Sequence, residues 1–398
     1  MSSHHAATLR LAVTQEALAA GLAIVNRGVS TRSSLPVLGN VLLSADGADG
    51  LQLAATNLEL SVQCWLGSLV EEVGAITLPA RLLTDWVNAL PEERIDLAVT
   101  RRTMTANLKC ARFESNIKGI DADEFPLSPS VTAPGQAQVA APVLQRAIER
   151  VAFAAADPNE TGRPALTSVL LALVGARLTL ATTDGYRLAV CHVALDTPAT
   201  ADVAVLIPAR TLREVARISA GCDADAPVAL VVTEGNQIAL RMTGIAPLQR
   251  IELISQLVDA KFPDYTALVP KSYGTRVTCD TTALLRALKT AMLFAREAEN
   301  RVYYRITPGT EMAPGQIALQ AAALTGDQVS TLAAQVEGPG LEVAFNGKYL
   351  AEGLAVFGAS QTVLELTQPN RPGVLYPVGE EETFKYVLMP MELRKKVE

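Results

Sequence analysis

The chain has 398 residues, a formal net charge of −7, and 49% hydrophobic against 19% charged residues, a balance that excludes a disordered polymer and leaves room for two to four domains. It contains no run of about 18 apolar residues and no basic-then-apolar start, so the chain is expected to be soluble and cytoplasmic, with no membrane span. Five cysteines without a C-x-x-C pair (Cys64, Cys110, Cys191, Cys222 and Cys279) read as reduced, mostly buried thiols, and with histidine only at 4, 5 and 192, metal or histidine chemistry would rest on a lone His192.

In chain order, the first element is a strand and a helix in "LRLAVTQEALAAGLAIV" (9–25), with Thr14 as the cap. A second strand–helix unit follows in "ITLPARLLTDWVNAL" (76–90), where Pro79 fits a helix start because its missing N–H would be unpaired there anyway. The pair then recurs. "AQVAAPVLQRAIERVAF" (137–153) and "VLIPARTLREVARIS" (205–219) repeat it around Ala141 and Pro208. "TRVTCDTTALLRALKTAM" (275–292) and "VAFNGKYLAEGLAVF" (343–357) repeat it again around Asp280 and Asn346, both good caps. The breakers Pro79, Pro208 and Asn346 stand 129 and 138 residues apart.

A further repeat links "LQLAATNLELSV" (51–62) with "LTLATTDGYRLAV" (178–190), placing Thr56-Asn57 and Thr183-Asp184 127 residues apart. Asp184-Gly185 between two alternating runs predicts a hairpin with a type I′ turn, which needs positive φ at both central residues. The run from Thr182 to Arg187 also has the residue types of an active site, but no histidine or lysine stands near as a base for a hydrolase built on Thr183, Asp184, Tyr186 and Arg187. A motif that recurs in two copies favours a structural turn.

Three domains of the α+β class are expected, at 1–130, 131–265 and 266–398, with proline-rich breaks in "EFPLSPSVTAPGQ" (124–136) and "FPDYTALVPKSYG" (262–274). The six helix windows hold eleven basic and six acidic residues, a net +5 within a chain of −7. A helical face of that sign suits phosphate contacts that attract without reading sequence.

Together, "LPVLGNVLL" (35–43), "LPARLL" (78–83), "EFP" (124–126), "ATTDGYRLAV" (181–190), "IPAR" (207–210), "LVDAKFPDY" (257–265), "FNGKYL" (345–350) and "YVLMPMEL" (386–393) resemble the bacterial DNA polymerase III β subunit, the replicative sliding clamp, from about residue 8 to residue 393. The resemblance implies a DNA-clamp fold with three similar domains per chain, outer antiparallel sheets and inner helices, closed as a ring-shaped head-to-tail homodimer. It implies a non-enzymatic processivity factor that encircles duplex DNA, tethers the replicative polymerase, and meets the clamp loader and other partners through linear motifs. No cofactor or metal is implied. The alternative is a peptide-binding scaffold that never encircles DNA.

By the same resemblance, Thr183, Gly185, Tyr186, Arg187 and Leu188 form one wall of a peptide-binding pocket, so the turn would also be a binding wall. Leu166, Pro263, Leu268, Val387, Leu388, Met389, Pro390 and Met391 supply much of the rest, with Asn346 and Tyr349 at the edge. For Leu166 and Val387 a purely packing role stays open. Trp86 and Leu90 facing Met292 and Leu293 of another chain correspond to the dimer contact, with a core role for Trp86 also open. Arg32 matches a DNA-facing position by motif, and Arg146, Arg150, Arg210, Arg213 and Arg217 are assigned by helix membership. Two departures stand out: Glu392 replaces the family's basic residue and "RKKVE" (394–398) extends the chain, while 368–382, with Pro372, is hard to align.

Overall fold

The computed structural model describes residues 9–30, 35–46, 49–126, 135–223, 225–233, 235–324 and 326–393. All six expected strand–helix units form. The helices are α1 (Gln15–Val25), α2 (Ala80–Asn88), α3 (Ala141–Ala152), α4 (Ala209–Ser219), α5 (Thr281–Ala295) and α6 (Gly347–Ala355). The side chains of Thr14, Asp280 and Asn346 cap α1, α5 and α6 by accepting first-turn N–H groups that have no intrahelical partner. No described helix is long and apolar enough to cross a membrane.

The chain divides into two compact units, one of residues 1–145, 195–201 and 214–257, the other of 146–194, 202–213 and 258–398. These units do not follow the expected breaks near 130 and 265. The reason is sheet continuity. In the first unit, the strand Leu60–Leu66 pairs antiparallel with Leu248–Gln256, which fuses strands from the first and second expected segments into one eight-stranded sheet. A five-stranded sheet, with Phe113–Lys118 at one edge, completes that unit. Leu18, Leu22 and Val25 of α1 are fully buried in its core, as are Leu53, Cys64 and Leu66.

The second unit repeats the scheme. The strand Arg187–Ala194 pairs with Phe384–Leu388, so a nine-stranded sheet runs from Val203–Pro208 to Gln335–Glu337. A four-stranded sheet, with Gly326–Ala333 at one edge, packs against α5. Helix α6 lies close on the Phe384–Leu388 strand, and a Cβ at Gly353 would sit 2.4 Å from the Tyr386 ring, which explains a glycine inside that helix.

Four of the five thiols are buried and Cys222 is half-buried. Burial pushes Cys64 and Cys279 up to about 12 and Cys191 up to about 11, so none is poised as a thiolate. His192 is half-buried with Nδ1 2.9 Å from the Thr179 hydroxyl.

Candidate functional site

The hairpin at Asp184-Gly185 forms, but not as a type I′ turn. Thr183 pairs with Leu188, leaving four residues in the connection, and only Gly185 among them has positive φ, at 95°. Side chains explain the choice. The Thr183 hydroxyl accepts from Gly185 N–H (3.0 Å) and donates to the Arg187 carbonyl (2.6 Å). Asp184 Oδ1 accepts from the N–H groups of Tyr186 (2.9 Å) and Arg187 (3.0 Å). An Asx turn of this kind satisfies the backbone inside a longer loop.

The earlier copy is built the same way. Thr56 Oγ1 accepts from Leu58 N–H and donates to the Leu60 carbonyl, while Asn57 Oδ1 accepts from Glu59 and Leu60. Leu58 holds the positive φ, at 74°. The copies differ in charge: Asp184 has a second carboxylate oxygen, and Arg187 Nε donates to it at 2.9 Å.

Arg187 is the centre of this region. Its Nη1 donates to Glu352 on α6 and its Nη2 to the Phe153 carbonyl just past α3. The guanidinium also lies 4.3 Å from the Tyr349 ring centroid and 5.5 Å from that of Phe153. Burial opposes its charge, yet Tyr386, Glu352 and Asp184 outweigh that and hold its pKa above the usual arginine value. With its side chain 7% exposed and each of its three nitrogens bonded within the protein, Arg187 has little surface to offer a ligand. It shapes a wall without being its surface.

The residues expected at the pocket fall on both faces of the nine-stranded sheet, because side chains alternate along a strand. Arg187 and Leu388 are cross-strand partners on the helix side, whereas Leu188 and Val387 are partners on the other. Leu188 and Val387 belong to a buried cluster with Val190 and Tyr376, and Phe262, Tyr265 and Val269 pack over it. The chain beyond Leu388 continues beside the turn: Met389 N–H donates to the Tyr186 carbonyl (2.9 Å) and Met391 N–H to Ala344 (2.7 Å).

Tyr186 (66% exposed) and Met389 (43%) stand side by side at one sheet end, and Leu268 (45%) is exposed on the segment whose Tyr265 and Val269 pack on the Leu188–Val387 cluster. Pro263 is exposed, and Tyr349, Pro390 and Met391 are half-buried. Leu166, Thr183, Leu188, Val387 and Leu388 are buried, so they support the site from below. Asn346 spends its side-chain oxygen on the α6 cap, accepting from Lys348 and Tyr349. Thr183 and Asp184 are likewise engaged in the turn, so no nucleophile–base pair forms among the residues of the hydrolase reading.

Arg150 is corrected by the structure. It is 5% exposed, bonds Glu380 through both Nη atoms and the Phe357 carbonyl through Nη2, and stacks 5.2 Å from the Phe384 centroid. It faces the protein interior, not a polyanion. Arg146 is exposed and bonds Glu380 at 3.2 Å. Arg210, Arg213 and Arg217 are exposed, with Arg213 donating to the Ala152 carbonyl and Arg217 to Glu214. Arg32 lies outside the described residues, as does the tail 394–398.

Among the residues expected at a dimer contact, Leu293 is 65% exposed, while Leu90 is only 8% exposed and has little surface to give. Trp86 and Met292 are half-buried, and Met292 packs against Gly347. Sequence reasoning missed Glu352 and Glu380, the carboxylates that bury two arginines. Glu352 was visible only as one acid in a helix window, and Glu380 sits in the stretch that resists alignment.

Three family models match the chain in order: the DNA polymerase III β subunit N-terminal domain over residues 9–129, the central domain over 138–264 and the C-terminal domain over 266–392. The β sliding clamp of Synechococcus elongatus is 34% identical over 390 residues, covering 97% of this chain and 100% of that protein. The crystal structure of the Bacillus subtilis DNA polymerase sliding clamp superposes with a TM-score of 0.88 at 25% identity, covering 97% and 100% of the two chains. A Pseudomonas aeruginosa sliding clamp bound to griselimycin gives 0.85 at 29% identity, with the same coverage.

Proposed function

The chain belongs to the bacterial DNA polymerase III β-subunit family, and we propose that it closes head to tail with a second copy around duplex DNA and captures partner proteins at the Tyr186–Leu268–Met389 surface. Its role is that of a DNA sliding clamp in replication. The observation that carries this reading is the tiling of one chain by three β-subunit domains in order, with a strand–helix pair recurring in each.

Unpaired sheet edges support closure. Phe113–Lys118 and Gly326–Ala333 are edge strands, and Val329 on the second is 57% exposed. Open edges of this kind invite pairing, and a symmetric partner covers them. Phe113–Lys118 of one copy meeting Gly326–Ala333 of the other is the pairing we propose, with Trp86 and Leu293 beside it.

Exposed Arg146, Arg210, Arg213 and Arg217 on α3 and α4 are the described candidates for DNA contact, and Arg32 is a further candidate. Several of these bond to protein carboxylates or carbonyls, which leaves a modest attraction suited to sliding. At the peptide surface, leucine and methionine side chains accept more than one apolar partner because methionine repacks easily. The polymerase catalytic subunit and the clamp loader are the proposed occupants. The protein acts by tethering, without a catalytic site or cofactor of its own, in the cytoplasm.

Retention on DNA tests this. After loading, the protein stays on circular duplex DNA through a salt wash and is lost when that DNA is linearised. Equal retention on both forms would replace the clamp with ordinary DNA binding, and no retention on either would favour a peptide scaffold.

A further inference from the structure

On the sheet face that carries Leu188 and Val387, the segment from Tyr265 to Tyr273 covers a cavity of about 880 Å³. That volume falls among those of ligand pockets. It rests on the same buried cluster that underlies the Tyr186–Met389 end of the sheet. Val190 and Tyr376 belong to the Leu188–Val387 cluster, Tyr265 and Val269 pack on that cluster, and all four also line the cavity. Along the strand, Leu188, Val190 and His192 share one face, so His192 lies about 13 Å beyond Leu188 at roughly 3.3 Å per residue. Four residues of an extended peptide span the same distance.

The two ends of the cavity differ in chemistry. At one, Glu365 accepts from Tyr376 Oη (2.7 Å) and Arg276 Nη2 donates to the same hydroxyl (2.9 Å), so that corner is satisfied internally. At the other, Arg177, His192 and Lys385 line the wall. Strand pairing brings the three together, since Thr179 opposes His192, Arg177 lies two residues along on the Thr179 face, and Lys385 opposes Val190. Glu381 and Glu382 also line the cavity. The sign at His192 is nonetheless positive: burial and then Arg177 and Lys385 hold its pKa below the ordinary value, against a smaller opposing effect of Glu382.

We propose that this cavity receives the acidic flank of a linear peptide whose apolar part occupies the Tyr186–Leu268–Met389 surface. The inference rests on that surface being the peptide site, and it assigns partners a longer recognition element: an apolar anchor joined to about four residues carrying carboxylates. Arg177 and Lys385 bind the carboxylates, and Tyr265 and Tyr376 flank the peptide chain.

The test uses the full chain and fluorescein-labelled peptides read by fluorescence polarisation. All share a short leucine- and phenylalanine-containing half, joined at either end to Asp-Glu-Asp-Glu, Asn-Gln-Asn-Gln or four lysines. The acidic flank is expected to tighten binding about tenfold over the neutral one in one of the two orders, a gain that shrinks with added salt. Arg177→Glu and Lys385→Glu, each at a non-buried position, remove that gain and leave the neutral peptide unchanged. Equal binding of acidic and neutral peptides, or a gain that survives both charge reversals, would overturn the extension while leaving the apolar site intact. If no peptide binds, the apolar site fails and the extension falls with it.

Discussion

The Arg187 guanidinium lies 4.3 Å from the Tyr349 ring centroid while Asp184 and Glu352 hold its nitrogens. Strand, turn and helix α6 thus meet on one planar cation, whose fork and face are used together. Arg187→Ala strands two carboxylates and is expected to cost about 3 kcal/mol. Arg187→Lys keeps a charge but loses the fork and the stacking, and recovers less than half of that. Chemical denaturation reads both; a lysine variant as stable as the parent would contradict this role.

Asp184 and Asn57 occupy matching turns, so Asp184→Asn keeps the oxygen that accepts from residues 186 and 187 but loses both the carboxylate charge and the acceptor facing Arg187 Nε. It should cost about 1–2 kcal/mol, whereas Asp184→Ala loses the turn bonds as well and should cost more. Hydrogen exchange at the Tyr186 and Arg187 amides separates the two: protection persists in the asparagine variant and falls in the alanine variant.

Arg150 and Glu380 predict a dependence on acid. Hydrogen bonding from Arg150 comes first among the causes that hold the Glu380 carboxyl below its ordinary 4.5. A depressed folded pKa contributes stability that is present above the ordinary value and is lost as pH falls through the folded one. The stability difference between parent and Glu380→Gln should be flat above about pH 5 and shrink as pH drops below about 4.5. Thermal melts between pH 3 and 7 check this; a difference that grows toward pH 3 would contradict it.

The same pair separates two kinds of arginine. Arg150→Ala should destabilise the fold and leave the salt dependence of DNA binding unchanged. Arg210→Ala should leave stability within about 0.5 kcal/mol and lower the slope of log K against log salt by about one. The reverse pattern would put Arg150 on DNA.

Leu388 and Met389 are neighbours with opposite duties, the first fully buried and the second 43% exposed. Leu388→Ala should cost about 2–5 kcal/mol through the cavity it leaves. Met389→Ala should cost little stability but weaken peptide binding several-fold. Calorimetry together with peptide titration distinguishes them, and unchanged peptide affinity in Met389→Ala would remove that residue from the site.

The repeat made much of this fold legible. Strand–helix units at Thr14, Pro79, Ala141, Pro208, Asp280 and Asn346 are local features, set by caps, prolines and helical periodicity, and all six formed. Burial of charge was not legible. Arg146 and Arg150 lie one helical turn apart on α3 and look alike in sequence, yet Glu380, 230 residues beyond Arg150, buries only one of them. The turn type was misjudged for a related reason: Asp-Gly permits a two-residue turn, but the Thr183 and Asp184 side chains satisfy a longer one. The fusion of expected segments into continuous sheets depends on long-range strand pairing, which has no signature within a single segment.

The central claim is a ring of two chains, and solution mass by light scattering at micromolar protein tests it most directly. A closed two-chain ring has about twice the 42.1 kDa chain mass. A stable species at the single-chain mass would contradict it.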